Sequence, residues 1–310
     1  MDMIFRNHQA ITLTTDEMDF EVDRKAQKCG FDNSSFPERN WPPRRHVPFS
    51  FFTTTVLLMC LLTVVTPAMA REFDHTHTVY DGIAQQCVQK GQVNYRGIRA
   101  NLTPLNLYLA QLERVSEKDF DLWKETQQIA YLSNLYNAST IKLIQDHYPV
   151  KSIKDIGSFF KGPWDQPAVR LFGKAITLNT LEHRILRVKY AEPRLHMALV
   201  CAAKGCPPLR SEAYTAEKLS AQLNDQAKQF LSNPIKFRID RRNRKVYISP
   251  IFKWYGEDFV KKFTPKAGFR GLGKTMQAVL NFCSQYLSDA DQKYLAAGDY
   301  SVKYLPYDWT

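Results

Sequence analysis

Residues 169–178 read VRLFGKAITL: two short β-favouring runs, Val169 to Phe172 and Ala175 to Leu178, joined by Gly173-Lys174. A glycine-containing link of that length predicts a hairpin. Working outward, a second pair of strands is expected at Ile235 to Ile239 and Val246 to Ile248, around a turn at Arg241 to Asn243. Strands that are neighbours in sequence pair antiparallel, whereas a parallel pair needs a long crossover. Helical signals fill most of the remainder. A helix is expected over about Thr78 to Lys90, followed by Gly91 and an extended Gln92 to Tyr95. Thr103 and Pro104 supply a cap and a first-turn proline ahead of Leu105, Leu109 and Leu112. Ser116 with Asp119 opens a helix that runs through Trp123 toward Tyr131 and continues, after a bend, to about His147. Asn179 with Glu182 forms a capping box for a helix to Tyr190. Further helices are expected over Thr215 to Leu231, from Ser249-Pro250 to about Phe263, and over Lys274 to Leu287. Helices outnumber strands and most strands are sequence neighbours. The class is therefore α+β: a small, mainly antiparallel sheet packed against a layer of helices in a single domain.

From Val47 to Ala70 no residue is charged; the run follows Arg44 and Arg45 and closes with Ala68-Met69-Ala70 ahead of Arg71-Glu72. That is the layout of a secretory signal peptide with a small-x-small cleavage site. The run is also long enough to cross a bilayer, at roughly 20 residues per crossing. Residues 1–46 then read as an extension from a mis-assigned start, or as the inner flank of an uncleaved single-pass anchor. Either way residues 71–310 are expected outside the cytoplasm, periplasmic or extracellular, and touch a membrane only through 47–70. Arg44-Arg45 is also a loose match to a twin-arginine signal.

Residues 1–70 hold 7 Lys+Arg and 8 Asp+Glu, which leaves 35 of 42 basic and 23 of 31 acidic residues, a net charge of +12, on residues 71–310. An exported chain this basic is drawn to anionic envelope surfaces, and cell-wall peptides would be within its reach. Its densest cluster, Arg238, Arg241, Arg242, Arg244 and Lys245, reads as a solvated hairpin tip. Nucleic acid is not an expected partner, because the chain carries no recognisable binding motif. Cys87, Cys201, Cys206 and Cys283 remain after residue 70, an even number that permits disulfides in an oxidising compartment. The Cys201 to Cys206 spacing has no matching second pair, so neither zinc nor any other cofactor is expected.

The stretch most like a site is RLHMALVCAAKGCPPL, residues 194–209. Its apolar run from Leu195 to Val200 suggests a buried strand, and the Gly and two Pro that follow suggest a rigid loop carrying Cys201 and Cys206. If residues 196–201 are extended, five steps of roughly 3.3 Å put His196 about 16 Å from Cys201, on the opposite face. His183, near the start of a helix that turns back at Glu192-Pro193, is then the better partner for Cys201. His196 reads as a buried, hydrogen-bonded core histidine. Asn134 and Asn137 share a helical stripe with Ala130, Ile141 and Ile144, so both amides should be buried and hydrogen-bonded. Two roles are open to them: tying a loop to the helix, or orienting a catalytic histidine and stabilising an oxyanion. The catalytic version assigns Cys201 as nucleophile, His183 as base and Asn134 or Asn137 as orienter, in an acyl hydrolase or transferase acting through a thioester. The alternative is a non-catalytic envelope binding domain whose loop is clamped by a Cys201–Cys206 disulfide.

SNLYNAST (residues 133–140), LNTLEHRILR (178–187), RLHMALVCAAKGCPPL (194–209) and SPIFKWYGEDF (249–259) follow one another in an order that resembles the domain of unknown function 547 family, and Gly91 to Tyr95 is similar to that family's opening segment. The resemblance covers Gly91 to Phe259 and implies a family of bacteria and plants whose name carries no activity. Where the family tends to have Trp or Phe before the first asparagine, Phe after the histidine and Ser before the second cysteine, this chain has Leu132-Ser133, Met197 and Gly205. A serine hydroxyl beside Cys206 is thus not available to a mechanism here.

Overall fold

A 22-residue helix, Glu125–Asp146, organises the chain; from Gln128 to Gln145 every side chain except Lys142 is buried. A helix covered on all faces is a core element, and the rest of the fold wraps around it. The computed structural model describes residues 72–158 and 160–310, so the extension 1–46 and the signal or anchor segment 47–70 lie outside the described residues. Residues 74–310 belong to one compact unit. Among the described residues no helix is long and apolar enough to cross a membrane.

Helices α1 (Thr78–Cys87), α2 (Tyr95–Ala100), α3 (Thr103–Glu113) and α4 (Glu117–Asp121) lead into the long helix, α5. Pro104 sits in the first turn of α3, and the Ser116 hydroxyl accepts from the Asp119 amide at 3.1 Å to start α4. The chain then breaks at Lys124, which is extended, before α5 begins. Tyr80, Tyr108, Leu112, Phe120 and Tyr131 fill the space between α1, α3, α4 and α5.

Among the described residues the β-structure is three small sheets. Strands β1 (Val88–Gln89) and β2 (Gln92–Val93) pair antiparallel, as do β3 (Val169–Leu171) and β4 (Lys174–Ile176), with Val169 opposite Ile176. The β3–β4 link is Phe172-Gly173, one residue earlier than the expected Gly173-Lys174. Both link residues have positive φ, 51° and 72°, as a two-residue turn matched to strand twist requires. Strands β5 (Phe237–Asp240) and β6 (Lys245–Ile248) form the second expected hairpin. A strand with no sequence expectation, β7 (Ser301–Tyr304), then joins β6 in parallel. The cationic tip of the β5–β6 hairpin is partly neutralised, Arg241 by Asp291 at 2.6 Å and Arg244 by Asp299. The class is α+β, as the sequence pattern implies.

Several helical boundaries differ from expectation: α1 ends at Cys87 rather than Lys90, Tyr95 opens α2 rather than ending an extended stretch, and Leu102 rather than Thr103 occupies the cap position of α3. Asn179 makes no cap bond; the Thr177 hydroxyl accepts from the Thr180 amide at 3.0 Å instead, and Thr180–Leu186 coils as a π-helix before one α-turn to Lys189. The helix expected from Thr215 begins only at Leu219 and runs to Ser232, as α6. The helix after Pro250 divides at Tyr255 into α7 (Ile251–Trp254) and α8 (Glu257–Phe263). Helix α9 (Lys274–Ser284) stops short of Leu287, and α10 (Asp289–Ala297) follows it. These elements enclose a second core in which Met197, Phe230, Val246, Ile248, Phe252, Phe259 and Phe282 meet.

The buried strand expected at Leu195 to Val200 does not form. Pro193–Met197 is a 3-10 helix, started by the fixed φ of Pro193 and by the Glu192 carboxylate, which accepts from the Arg194 amide. Beyond it, the Ala198 carbonyl accepts from Asn137 Nδ2 at 3.0 Å and the Val200 amide donates to Asn137 Oδ1 at 2.9 Å. One side-chain amide replaces the neighbouring strand.

Candidate functional site

A cavity of about 290 Å³ opens where six parts of the chain meet. Helix α5 contributes Tyr136, and the π-helical segment contributes Glu182 and His183. The 3-10 turn and the loop after it supply His196, Leu199, Cys201 and Pro207. Helix α7 and its end bring Ile251, Trp254 and Tyr255, and the C-terminal segment brings Tyr307 and Trp309. With Trp164, six of the lining rings are Tyr or Trp. The π-helix has a wider turn than an α-helix and recurs at functional sites. Here both Glu182 and its neighbour His183 reach the cavity wall.

Asp258 is the electrostatic hub beside the cavity. Its carboxylate accepts from His196 Nε2–H at 2.7 Å and from Arg187 Nε and Nη2 at 2.7 and 3.0 Å. Burial alone would push the Asp258 carboxyl up; the hydrogen bonds from His196 and Arg187 outweigh it and hold the group well below the usual carboxylate range. The His196 ring is 5 % exposed and stacks on Tyr255 at 4.3 Å and 7°. Arg187 also donates from Nη1 to His183 Nδ1 at 3.1 Å. A guanidinium can only donate, so Nδ1 of His183 is the acceptor and the neutral ring carries its proton on Nε2.

Glu182 is buried, and its carboxylate lies close enough to the Tyr136 and Tyr255 phenols to act on both. Burial first, then the Glu182 charge, pushes both phenols far above their ordinary range, so both stay neutral donors.

The sulfurs of Cys201 and Cys206 lie at bonding distance, with Cα atoms 6.0 Å apart. The Tyr307 hydroxyl is 3.3 Å from each sulfur. Gly205 explains how that ring gets so close. A Cβ on residue 205 would lie 2.6 Å from the Tyr307 ring and 2.8 Å from the Asp308 carbonyl oxygen. The C-terminal segment is fixed there by the Gly205 amide donating to Asp308 O at 2.7 Å and the Lys204 amide to Thr310 O at 2.8 Å. Trp309 stacks with Trp254 at 5.9 Å under this tie.

Of the four residues singled out in the sequence, His183 and Cys201 line the cavity and Asn134 and Asn137 do not. Each asparagine spends both ends of its amide on backbone: Asn137 on residues 198 and 200, Asn134 on the Tyr214 carbonyl and amide at 2.8 and 3.0 Å. Each amide thus commits its oxygen and one of its two N–H donors to backbone. His183 has its Nδ1 engaged by the Arg187 guanidinium, a contact that competes with any role as base for Cys201. His196 is buried and hydrogen-bonded, as expected of a core histidine, yet it also faces the cavity. Among the described residues no group of three or more His, Cys, Asp and Glu is placed to hold a metal ion.

Sequence reasoning missed Glu182, Arg187, Asp258 and the aromatic walls. The signal for them was the four ordered motifs, which converge on this cavity although they are far apart in the chain. Three of the four fall inside a single family match: residues 120–231 fit the model described as "Protein of unknown function, DUF547". Residues 120–231 form a DUF547 family domain. No curated protein and no solved structure matches the chain. The DUF547 domain supplies Tyr136, Glu182, His183, His196 and Cys201, while Trp254, Tyr255, Tyr307 and Trp309 come from beyond its C-terminal boundary. The cavity is therefore built by the DUF547 domain and closed by the chain that follows it.

Proposed function

We propose that this chain is an exported, non-catalytic envelope binding domain whose aromatic cavity receives a small ligand, with the cavity loop stapled by Cys201 and Cys206. The observation that carries this reading is the placement of Cys201 against Cys206 at the cavity wall, where a disulfide would close the loop. A bond between Cys201 and Cys206 would leave no nucleophile, and the Arg187 contact on His183 Nδ1 supports the same reading. Export through residues 47–70 agrees with a disulfide, which persists in oxidising compartments. The net charge of +12 over residues 71–310, derived above, suits residence at an anionic envelope surface.

A thiol-dependent acyl hydrolase or transferase is the competing reading, favoured by the placement of Cys201 and His183 on one cavity. The two are separated by incubating unreduced protein with p-nitrophenyl acetate and mapping acetyl adducts by peptide mass spectrometry. The binding reading predicts no acetyl group on Cys201. Accumulation of acetyl-Cys201 would overturn it in favour of a thioester enzyme.

A further inference from the structure

We propose that the ligand of this cavity is an organic ammonium cation, with Glu182 as its counter-charge and the surrounding aromatic rings as its walls. The inference rests on the reading of the cavity as a binding site.

Glu182 is the carboxylate of the site with no Lys or Arg in direct contact, although the charge of Arg187 reaches it. It is 9 % exposed and lines the cavity, and the neighbouring Tyr136 and Tyr255 are neutral phenols. Its nearest basic neighbour is His183 Nδ1 at 3.9 Å, the nitrogen already accepting from Arg187. Among the described residues no Lys or Arg forms an ion pair with it, whereas nearby carboxylates are matched, Asp258 by Arg187 and Glu192 by Arg194. A carboxylate out of water needs a cation, and an anionic ligand would only worsen the imbalance.

The walls select the kind of cation. Aromatic faces carry negative quadrupole density and attract ammonium groups that have shed water. The Trp254 ring is 44 % exposed and sits 4.9 Å from Tyr307 and 5.9 Å from Trp309, a group of rings left open at the cavity. The chain already uses this chemistry on the same rings. Arg187 lies 4.9 Å over Tyr255, and Lys154 lies 4.3 Å over Trp309. A metal cation fits less well, because Glu182 would be its only carboxylate among the lining residues.

The test compares charged probes with neutral counterparts by titration calorimetry: choline against 3,3-dimethylbutan-1-ol, and n-butylammonium against n-butanol. The charged member of at least one pair should bind at least about tenfold more tightly, and the pair that discriminates more tells a quaternary from a primary head group. Glu182→Gln should remove that preference, read as the ratio of charged to neutral affinity within the variant. Trp254→Leu, at an exposed ring, should reduce the preference too and supplies the readout if Glu182→Gln melts early. Equal binding of charged and neutral probes would overturn the ammonium inference but leave a binding cavity in place; so would a preference that survives in a folded Glu182→Gln protein. Failure of both ammonium probes to bind would overturn it as well. Acetylation of Cys201 in the ester experiment would instead bring down the binding reading beneath it.

Discussion

At the scale of single residues, Asp258 ties the site together, since one carboxylate holds both the His196 ring and the Arg187 guanidinium. Hydrogen bonds to charged groups contribute about 1.5–3 kcal/mol each in favourable settings; the partial exposure of Asp258 and Arg187 lowers that here. Asp258→Asn is expected to cost about 1–3 kcal/mol of unfolding free energy at pH 7, measured by urea denaturation. Because the folded-state carboxyl titrates below its unfolded value, protons favour the unfolded chain as pH falls from about 4, the unfolded pKa. The stabilisation is thus complete above pH 4 and lost below it, and the gap between wild type and variant should narrow toward pH 3. A gap that stays constant with pH would mean that Asp258 acts through packing alone. Residue types made His183 and Cys201 legible as site candidates. Their actual partners were not legible, because Arg187 is one helical turn from His183 but Asp258 lies 71 residues from Arg187.

Elements were legible wherever their signal is local. The Ser116 cap, the first-turn Pro104 and both hairpins formed close to where turn and cap chemistry placed them. The misreadings share a different cause: tertiary hydrogen bonds overrode local pattern. The apolar run Leu195 to Val200 has strand-like composition, but it had no strand to pair with, and the Asn137 amide met its backbone groups. Likewise Glu182, placed where a capping box wants a carboxylate, turned toward two buried phenols. Asn137→Ala should leave the Ala198 carbonyl and the Val200 amide without partners. Each orphaned buried group costs about 1–3 kcal/mol, so a loss of about 2–4 kcal/mol is expected, together with faster amide exchange at Val200. Unchanged exchange at Val200 would show that the clamp does not hold the cavity loop.

Over the whole molecule, the parts with no local signal are those that close the cavity. Strand β7 and the segment after it return across the fold to pair with β6 and with the loop at Lys204-Gly205, a connection that no nearby residue announces. Gly205, which departs from the resembled family's serine, leaves room for the Tyr307 ring against the sulfurs. The departure and the closure are thus one feature, read only once the distant segment is seen in place. The site then depends on three things at once: the DUF547 region 120–231, a staple within it at Cys201 and Cys206, and an aromatic cover from the chain that follows.

The staple decides between a binding cavity and a thiol enzyme, so it is the claim to measure first. Purified protein should be alkylated without reduction across a pH series, digested and mapped by mass spectrometry. The account predicts that Cys201 and Cys206 are recovered as one cross-linked peptide pair at every pH and label only after reduction. Recovery of alkylated Cys201 from unreduced protein, labelled well below the ordinary thiol range, would contradict it.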